Sequence, residues 1–129
     1  MALKVDISFG ELLDKITILQ IKSERITNAA KLQNIHHEME LLQSIWEKSD
    51  EVNIDIKFEI YELKTINEKL WDIEDDIREK EFKKEFDEKF IELARAVYVT
   101  NDKRADFKRR INIKLNSELV EEKSYAEYN

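Results

Sequence analysis

Apolar residues along this chain recur at alternating steps of three and four with polar residues between them, the period of helices that each bury one face. The first such run opens at Ile7-Ser8-Phe9-Gly10-Glu11-Leu12. There Ser8 can accept from the Glu11 amide, and the Glu11 carboxylate can reach back to the Ser8 amide. This is a capping box, with Ile7 and Leu12 spaced as a hydrophobic staple. It predicts a helix from Phe9 to about Thr27-Asn28, with Leu12, Leu13, Ile16, Leu19 and Ile26 as its stripe. A second helix is expected from about Ala29 to Lys48, its Leu32, Ile35, Met39, Leu42 and Trp46 forming a seam for one partner helix. Ser49 to Asn53 breaks the pattern. A third helix runs from about Ile54 to Lys84 on Ile56, Ile60, Leu63, Ile66, Leu70, Ile73 and Ile77. At roughly 1.5 Å per residue it is about 45 Å long.

Phe82, Phe86 and Phe90 mark a corner around Lys83 to Asp87. Beyond it Leu93, Ala94, Val97, Ala105, Ile111 and Leu115 continue a helical pattern, interrupted by Thr100-Asn101-Asp102, where Thr100 or Asn101 could cap a new helix. Residues 87–115 are therefore one long helix or two nearly collinear ones, ended by Asn116 in a left-handed cap. Residues 117–129 are a short helix or a tail that folds back. Three segments alternate with period two instead: Leu3 to Ile7, Val52 to Ile60, and Ile111 to Leu115. A small sheet joining the two ends, with an extended N-terminal segment, is the alternative for the outer two. Over 52–60 the helix is favoured, because Ile56, Ile60 and Leu63 run smoothly into the pattern that follows.

Composition narrows the fold further. The chain has 129 residues with one glycine, no proline and no cysteine. Sandwiches, barrels and doubly wound sheets need turn residues every ten or so positions, which this chain lacks. Disulfides and thiolate sites are excluded. No targeting stretch or long apolar run appears, so a cytoplasmic protein without membrane insertion is expected. The formal charge of −7 disfavours nucleic acid, whose binding needs clustered cations facing phosphates.

The charge is unevenly placed. Residues 72–92 hold ten Asp and Glu against five Lys and Arg, whereas residues 95–114 hold seven Lys and Arg against two Asp. An antiparallel hairpin turning near Glu85 sets Glu74 and Asp75 opposite Arg95, and Arg78 opposite Glu92. Past residue 100 the facing residues, Lys64 to Asn67, cannot neutralise Lys103, Arg104, Lys108, Arg109 and Arg110. These cations must meet Glu118, Glu121 and Glu122, solvent, or an anionic ligand. Arg104 and Arg109 lead, since a guanidinium fork matches carboxylate or phosphate.

Other chemistry is thin. Asp72, Asp75, Asp76 and Glu79 lie at i, i+3, i+4 and i+7 on one face, a spacing open to a cation but equally to a solvated face, so no metal is assigned. His36 and His37 point about 100° apart and cannot chelate one ion together. No phosphate loop or nucleophile elbow exists, and Ser8 is committed to its cap.

Four strings, in order, carry a resemblance: Ser8-Phe9-Gly10-Glu11-Leu12-Leu13-Asp14-Lys15-Ile16-Thr17-Ile18-Leu19, then Leu70-Trp71-Asp72-Ile73-Glu74-Asp75-Asp76-Ile77-Arg78, Thr100-Asn101-Asp102-Lys103-Arg104-Ala105, and Ser117-Glu118-Leu119-Val120-Glu121-Glu122-Lys123-Ser124-Tyr125. The chain resembles a family of small bacterial proteins of unknown function over nearly its whole length, least between about 40 and 65. The resemblance implies company with glycosyltransferases and surface-polysaccharide genes, and it attaches no catalytic role to any residue. Its strings are polar as well as apolar, which packing alone does not demand. It thereby implies a shared polar site built from Arg78, Arg95, Asn101, Arg104 and the 118–125 segment, with Glu121, Glu122, Lys123 and Tyr125.

The expectation is an all-α antiparallel hairpin or bundle of four to five helices, one domain over 1–129. Thin stripes on long helices leave apolar flanks, which predicts a homodimer. The chain is expected to be a non-catalytic binding or interaction module for a protein partner or a small anionic ligand, without a cofactor. The competing reading is a small enzyme acting on a phosphate- or carboxylate-bearing substrate, such as a nucleotide sugar, at the arginine-rich site.

Overall fold

The computed structural model describes residues 1–128, and the fold is all-α: α1 (Phe9–Arg25), α2 (Ala29–Glu47), α3 (Lys57–Lys83) and α4 (Glu88–Lys114), with a 3₁₀ turn at Asp50–Asn53. Each boundary has a local cause. Ser8 caps α1 by accepting from the Glu11 amide at 3.1 Å. The reciprocal half of the expected capping box is absent, because the Glu11 carboxylate turns outward to Lys108 and Lys15. Asn28 caps α2 through the Lys31 amide. The third helix begins at Lys57, three residues later than its pattern suggests. Asp55 accepts from the Lys57 amide at 3.2 Å, and the 3₁₀ turn consumes the residues before it.

The corner between α3 and α4 is a Schellman stop followed by a cap. Lys84 takes φ 57°, the Glu85 amide donates to the Lys80 carbonyl at 3.0 Å, and Asp87 then accepts from the Phe90 amide at 3.0 Å. Asn116 ends α4 the same way at φ 51°, with the Ser117 amide donating to the Asn112 carbonyl at 2.8 Å. The polar step at Thr100-Asn101-Asp102 does not interrupt α4, which runs through it as one helix with Thr100 buried among its packed residues. No strand forms among the described residues, so the period-two segments at the two ends are not paired in a sheet.

The arrangement centres on α1, which packs against all three other helices. Phe9 meets Trp46 edge to face at 6.1 Å, so α2 returns antiparallel along α1. Arg25 at the end of α1 reaches Asp72 at 2.6 Å, and Asn67 reaches Asp14, so α3 runs parallel to α1. α4 comes back antiparallel to both, fixed by Lys114 on Glu59 at 2.6 Å and Phe107 on Phe58. The core joins Leu12, Leu13 and Ile16 of α1 to Ile56, Leu63, Ile111 and Leu115. Because α1 stops level with Asp72, the corner end of the α3–α4 hairpin extends past it, with Ile73 and Leu93 as its buried apolar residues.

This placement overturns the expected pairing along the hairpin. Arg78 does not meet Glu92. It bonds Glu74 of its own helix at 3.1 Å and stays 78% exposed. Arg95 is exposed and forms no ion pair with Glu74 or Asp75. Arg104, Lys108 and Arg109 of α4 face α1 and the tail instead, since α1 occupies the groove that a lone hairpin would leave open.

Candidate functional site

The polar centre of the molecule is a carboxylate inside the bundle. Asp14 is 0% exposed on α1. Arg104 of α4 grips it side-on, its Nε donating to Oδ1 at 3.0 Å and its Nη2 to Oδ2. Asn67 of α3 donates to Asp14 Oδ1 at 2.9 Å and to Thr17 Oγ1 at 3.0 Å. Thr17 in turn donates to the Asp14 carbonyl at 2.8 Å. Three helices thus converge on one charge, and both of its oxygens are satisfied, which a buried carboxylate requires.

One turn on, a second pair extends the network. Lys108 Nζ lies 2.6 Å from Glu11 and 3.3 Å from Glu121, with its side chain only 13% exposed. Close approach of α1 to α4 makes this possible. A Cβ on Gly10 would fall 2.5 Å from the Lys108 carbonyl oxygen, and the Gly10 amide donates to Asn112 Oδ1 at 2.7 Å. The only glycine of the chain stands where two helix backbones nearly touch.

The electrostatics keep these groups charged. Burial pushes the Glu11 carboxyl up, but the bond and charge of Lys108 outweigh it and hold it below its ordinary range. Burial pulls the Lys108 ammonium down, and Glu11 with Asp14 and Glu121 more than restore it. Asp14 raises the Arg104 guanidinium further above its already high value.

Over this network residues 117–128 run without helix, back along α4. Glu122 bonds Arg109 at 2.9 Å, and the Tyr128 hydroxyl donates to Asp102 at 2.5 Å while its ring stacks edge to face on Tyr98. Between tail and helix lies a cleft of about 280 Å³. Of the residues singled out from sequence, Asn101, Arg104, Arg109, Glu121, Glu122, Lys123 and Tyr125 line it together. Arg78 and Arg95 do not. Arg95 sits nine residues before Arg104, about 13 Å along the helix toward the corner, and Arg78 is on the far part of α3.

Arg104 is not the unmatched cation that the charge pattern suggests, since Asp14 holds it, and Arg110 pairs with Asp106 at 3.0 Å. Geometry nevertheless leaves Arg104 work to do. A side-on grip uses two of the five guanidinium N–H groups. The other three belong to Nη1 and Nη2, and at the cleft Nη1 makes only a long 3.5 Å contact with Asn101 Oδ1. Asp14, Asn67 and Thr17 escape a reading of charge pattern because they lie on α1 and α3, far away in sequence. A signal exists all the same: Gly10, Asp14, Thr17 and Ile21 form a second buried row on α1.

The remaining candidates separate. Asp72 pairs with Arg25, Asp75, Asp76 and Glu79 are exposed, and no group of three or more potential metal ligands gathers among the described residues. His36 and His37 are exposed on α2. Among the described residues no helix is long and apolar enough to cross a membrane.

The chain belongs to a family of unknown function, DUF6165, whose model matches residues 3–128. No curated protein matches it, and no solved structure does.

Proposed function

We propose that this chain is a binding module for a small anionic group, received in the cleft between α4 and the tail by Arg104, Arg109, Lys108 and Lys123, with Asn101 and Tyr125 as neutral partners. One observation carries the reading. A buried carboxylate fixes Arg104 in the lining of the cleft with N–H groups of Nη1 and Nη2 unused, so that little rotamer freedom is left to lose on binding. An arginine serving only as internal glue needs no cleft at its outer edge.

A binding role is favoured over acid–base catalysis because Glu11, Lys108 and Arg104 are all held more firmly charged than usual. A proton-transfer catalyst needs the opposite, a group brought toward neutrality. The company with surface-polysaccharide and glycosyltransferase systems implied by resemblance suits such a module, whose anion would be a phosphate or carboxylate on a sugar. A bacterial cytoplasmic homodimer belongs to the same proposal. The apolar corner, where Phe82 is 86% exposed, supports the dimer, and light scattering that returns 15.5 kDa removes it.

Calorimetric titration with inorganic phosphate, sulfate and citrate at low ionic strength tests the site. Arg104→Lys keeps a cation on Asp14 but loses the planar edge, so it should bind at least several-fold more weakly than the native chain while unfolding cooperatively. Equal binding by both proteins refutes the assignment.

A further inference from the structure

The cleft is walled on one side by α4 and on the other by the tail, and the tail offers it two carboxylates. Four cations line it: Arg104, Lys108, Arg109 and Lys123. Two of them are neutralised from α1, Arg104 by Asp14 and Lys108 by Glu11. Charge equal to two cations is left, and Glu121 and Glu122 supply the matching pair of negative charges. Glu122 meets Arg109 at 2.9 Å and Glu121 meets Lys108 at 3.3 Å.

These two bonds differ in kind from the ones beneath them. The Glu121 and Glu122 side chains are 57% and 72% exposed, against 1% for Asp14. Exposed pairs hold weakly and release at little cost. Departure of Glu121 strands no charge either, because Lys108 keeps its closer bond to Glu11. The tail is anchored elsewhere, by Tyr128 on Asp102 and Tyr98. The carboxylates can therefore swing out by side-chain rotation while Tyr128 keeps its contacts with Asp102 and Tyr98.

Resting on the reading of the cleft as an anion site, we propose that Glu121 and Glu122 are its internal stand-in ligand, and that the molecule they stand in for is a small one bearing two linked anionic groups. Such a dianion restores the charge balance when both carboxylates swing out. A monoanion leaves one cation uncompensated, and a cleft of about 280 Å³ suits a small ligand. The tail thereby sets a threshold: only a ligand able to replace both carboxylates at once displaces them.

Malonate, which carries two linked carboxylates and two negative charges at neutral pH, is the probe, titrated into the native chain by calorimetry at low ionic strength. Glu121→Gln with Glu122→Gln should bind it about tenfold more tightly than the native chain, the scale set by removing two competing exposed pairs. Acetate, a monoanion, should gain less. Glu118→Gln with Glu127→Gln removes the same charge from the tail away from Arg109 and Lys108, and should leave affinity unchanged. Adding Arg104→Lys to the first pair should abolish the gain. Equal tightening by both charge-matched pairs, or none by the first while the native chain still binds, overturns the stand-in role and leaves the anion site intact. Absence of binding by every variant removes the site itself.

Discussion

The Asp14–Arg104 pair can be weighed by a double-mutant cycle. Replacing Arg104 with Met leaves a carboxylate of 0% exposure with the Asn67 amide as its one remaining side-chain donor. Stranding one member of a buried ion pair costs about 3–5 kcal/mol. The Arg104 side chain is 29% exposed, which admits water to one side and puts the loss near the lower end, about 3 kcal/mol. With an unfolding entropy of about 2.1 cal/mol/K per residue, that lowers the melting temperature by roughly 11 °C. Asp14→Leu is the milder change, about 2 kcal/mol, since Arg104 can turn into the cleft and hydrate while Asn67 loses one acceptor. The double variant strands no charge, so its loss should fall near that of Asp14→Leu alone, giving a coupling of about 2–3 kcal/mol. Urea unfolding followed by circular dichroism measures all four proteins, with an unchanged m-value as the check that each unfolds from the same compact state. A coupling below about 0.5 kcal/mol, or Asp14→Leu costing more than Arg104→Met, refutes the claim that the buried charge organises this centre.

Gly10→Ala should destabilise, because the clash with the Lys108 carbonyl costs about 1–3 kcal/mol and outweighs the roughly 1 kcal/mol that alanine gains in a helix; equal or higher stability in urea rules out close helix approach as the reason for glycine. Acid should expose the Glu59–Lys114 pair. The Lys114 hydrogen bond holds the Glu59 carboxyl below its ordinary value against the opposing effect of burial, so the pair stabilises above the unfolded pKa of about 4.3, and that stability is lost as pH falls through the folded value. The deficit of Lys114→Met should accordingly be largest at neutral pH and shrink on acidification, and a deficit constant from about pH 7 to pH 3 contradicts it. Asn28→Ala should cost about 1 kcal/mol through loss of the α2 cap to the Lys31 amide, read as a shift in the urea midpoint.

The helices are legible in sequence because their signals are local. Ser8, Asn28 and Asp87 cap them through amides three residues on, and Asn116 takes the expected left-handed turn. The start of α3 is not legible, since Ile56 fits the helical stripe yet is buried from just outside the helix. Charge pattern finds the basic half of the cleft, because Arg104 and Arg109 crowd a stretch with few acids. It finds Glu122 for Arg109 but misses Asp14 as the partner of Arg104, because a two-helix picture omits α1. Facing residues across a three-helix junction are set by which helix takes the centre, and that depends on the total apolar width of α1. The run Ile16-Thr17-Ile18-Leu19-Gln20-Ile21 carries that width, and Asp14 becomes a buried partner only when it is read as a core position.

The reach of α3 and α4 past the end of α1 divides the molecule mechanically. Near Asp14, α1, α3 and α4 each brace one another and share the buried charge network. Toward Lys84 two helices lean on each other alone. Amide protons there should exchange with solvent long before those around Leu63 and Ile111, so the molecule is a stiff base carrying a compliant arm. Anything that docks on the phenylalanines at the arm's end can bend it while the cleft stays fixed.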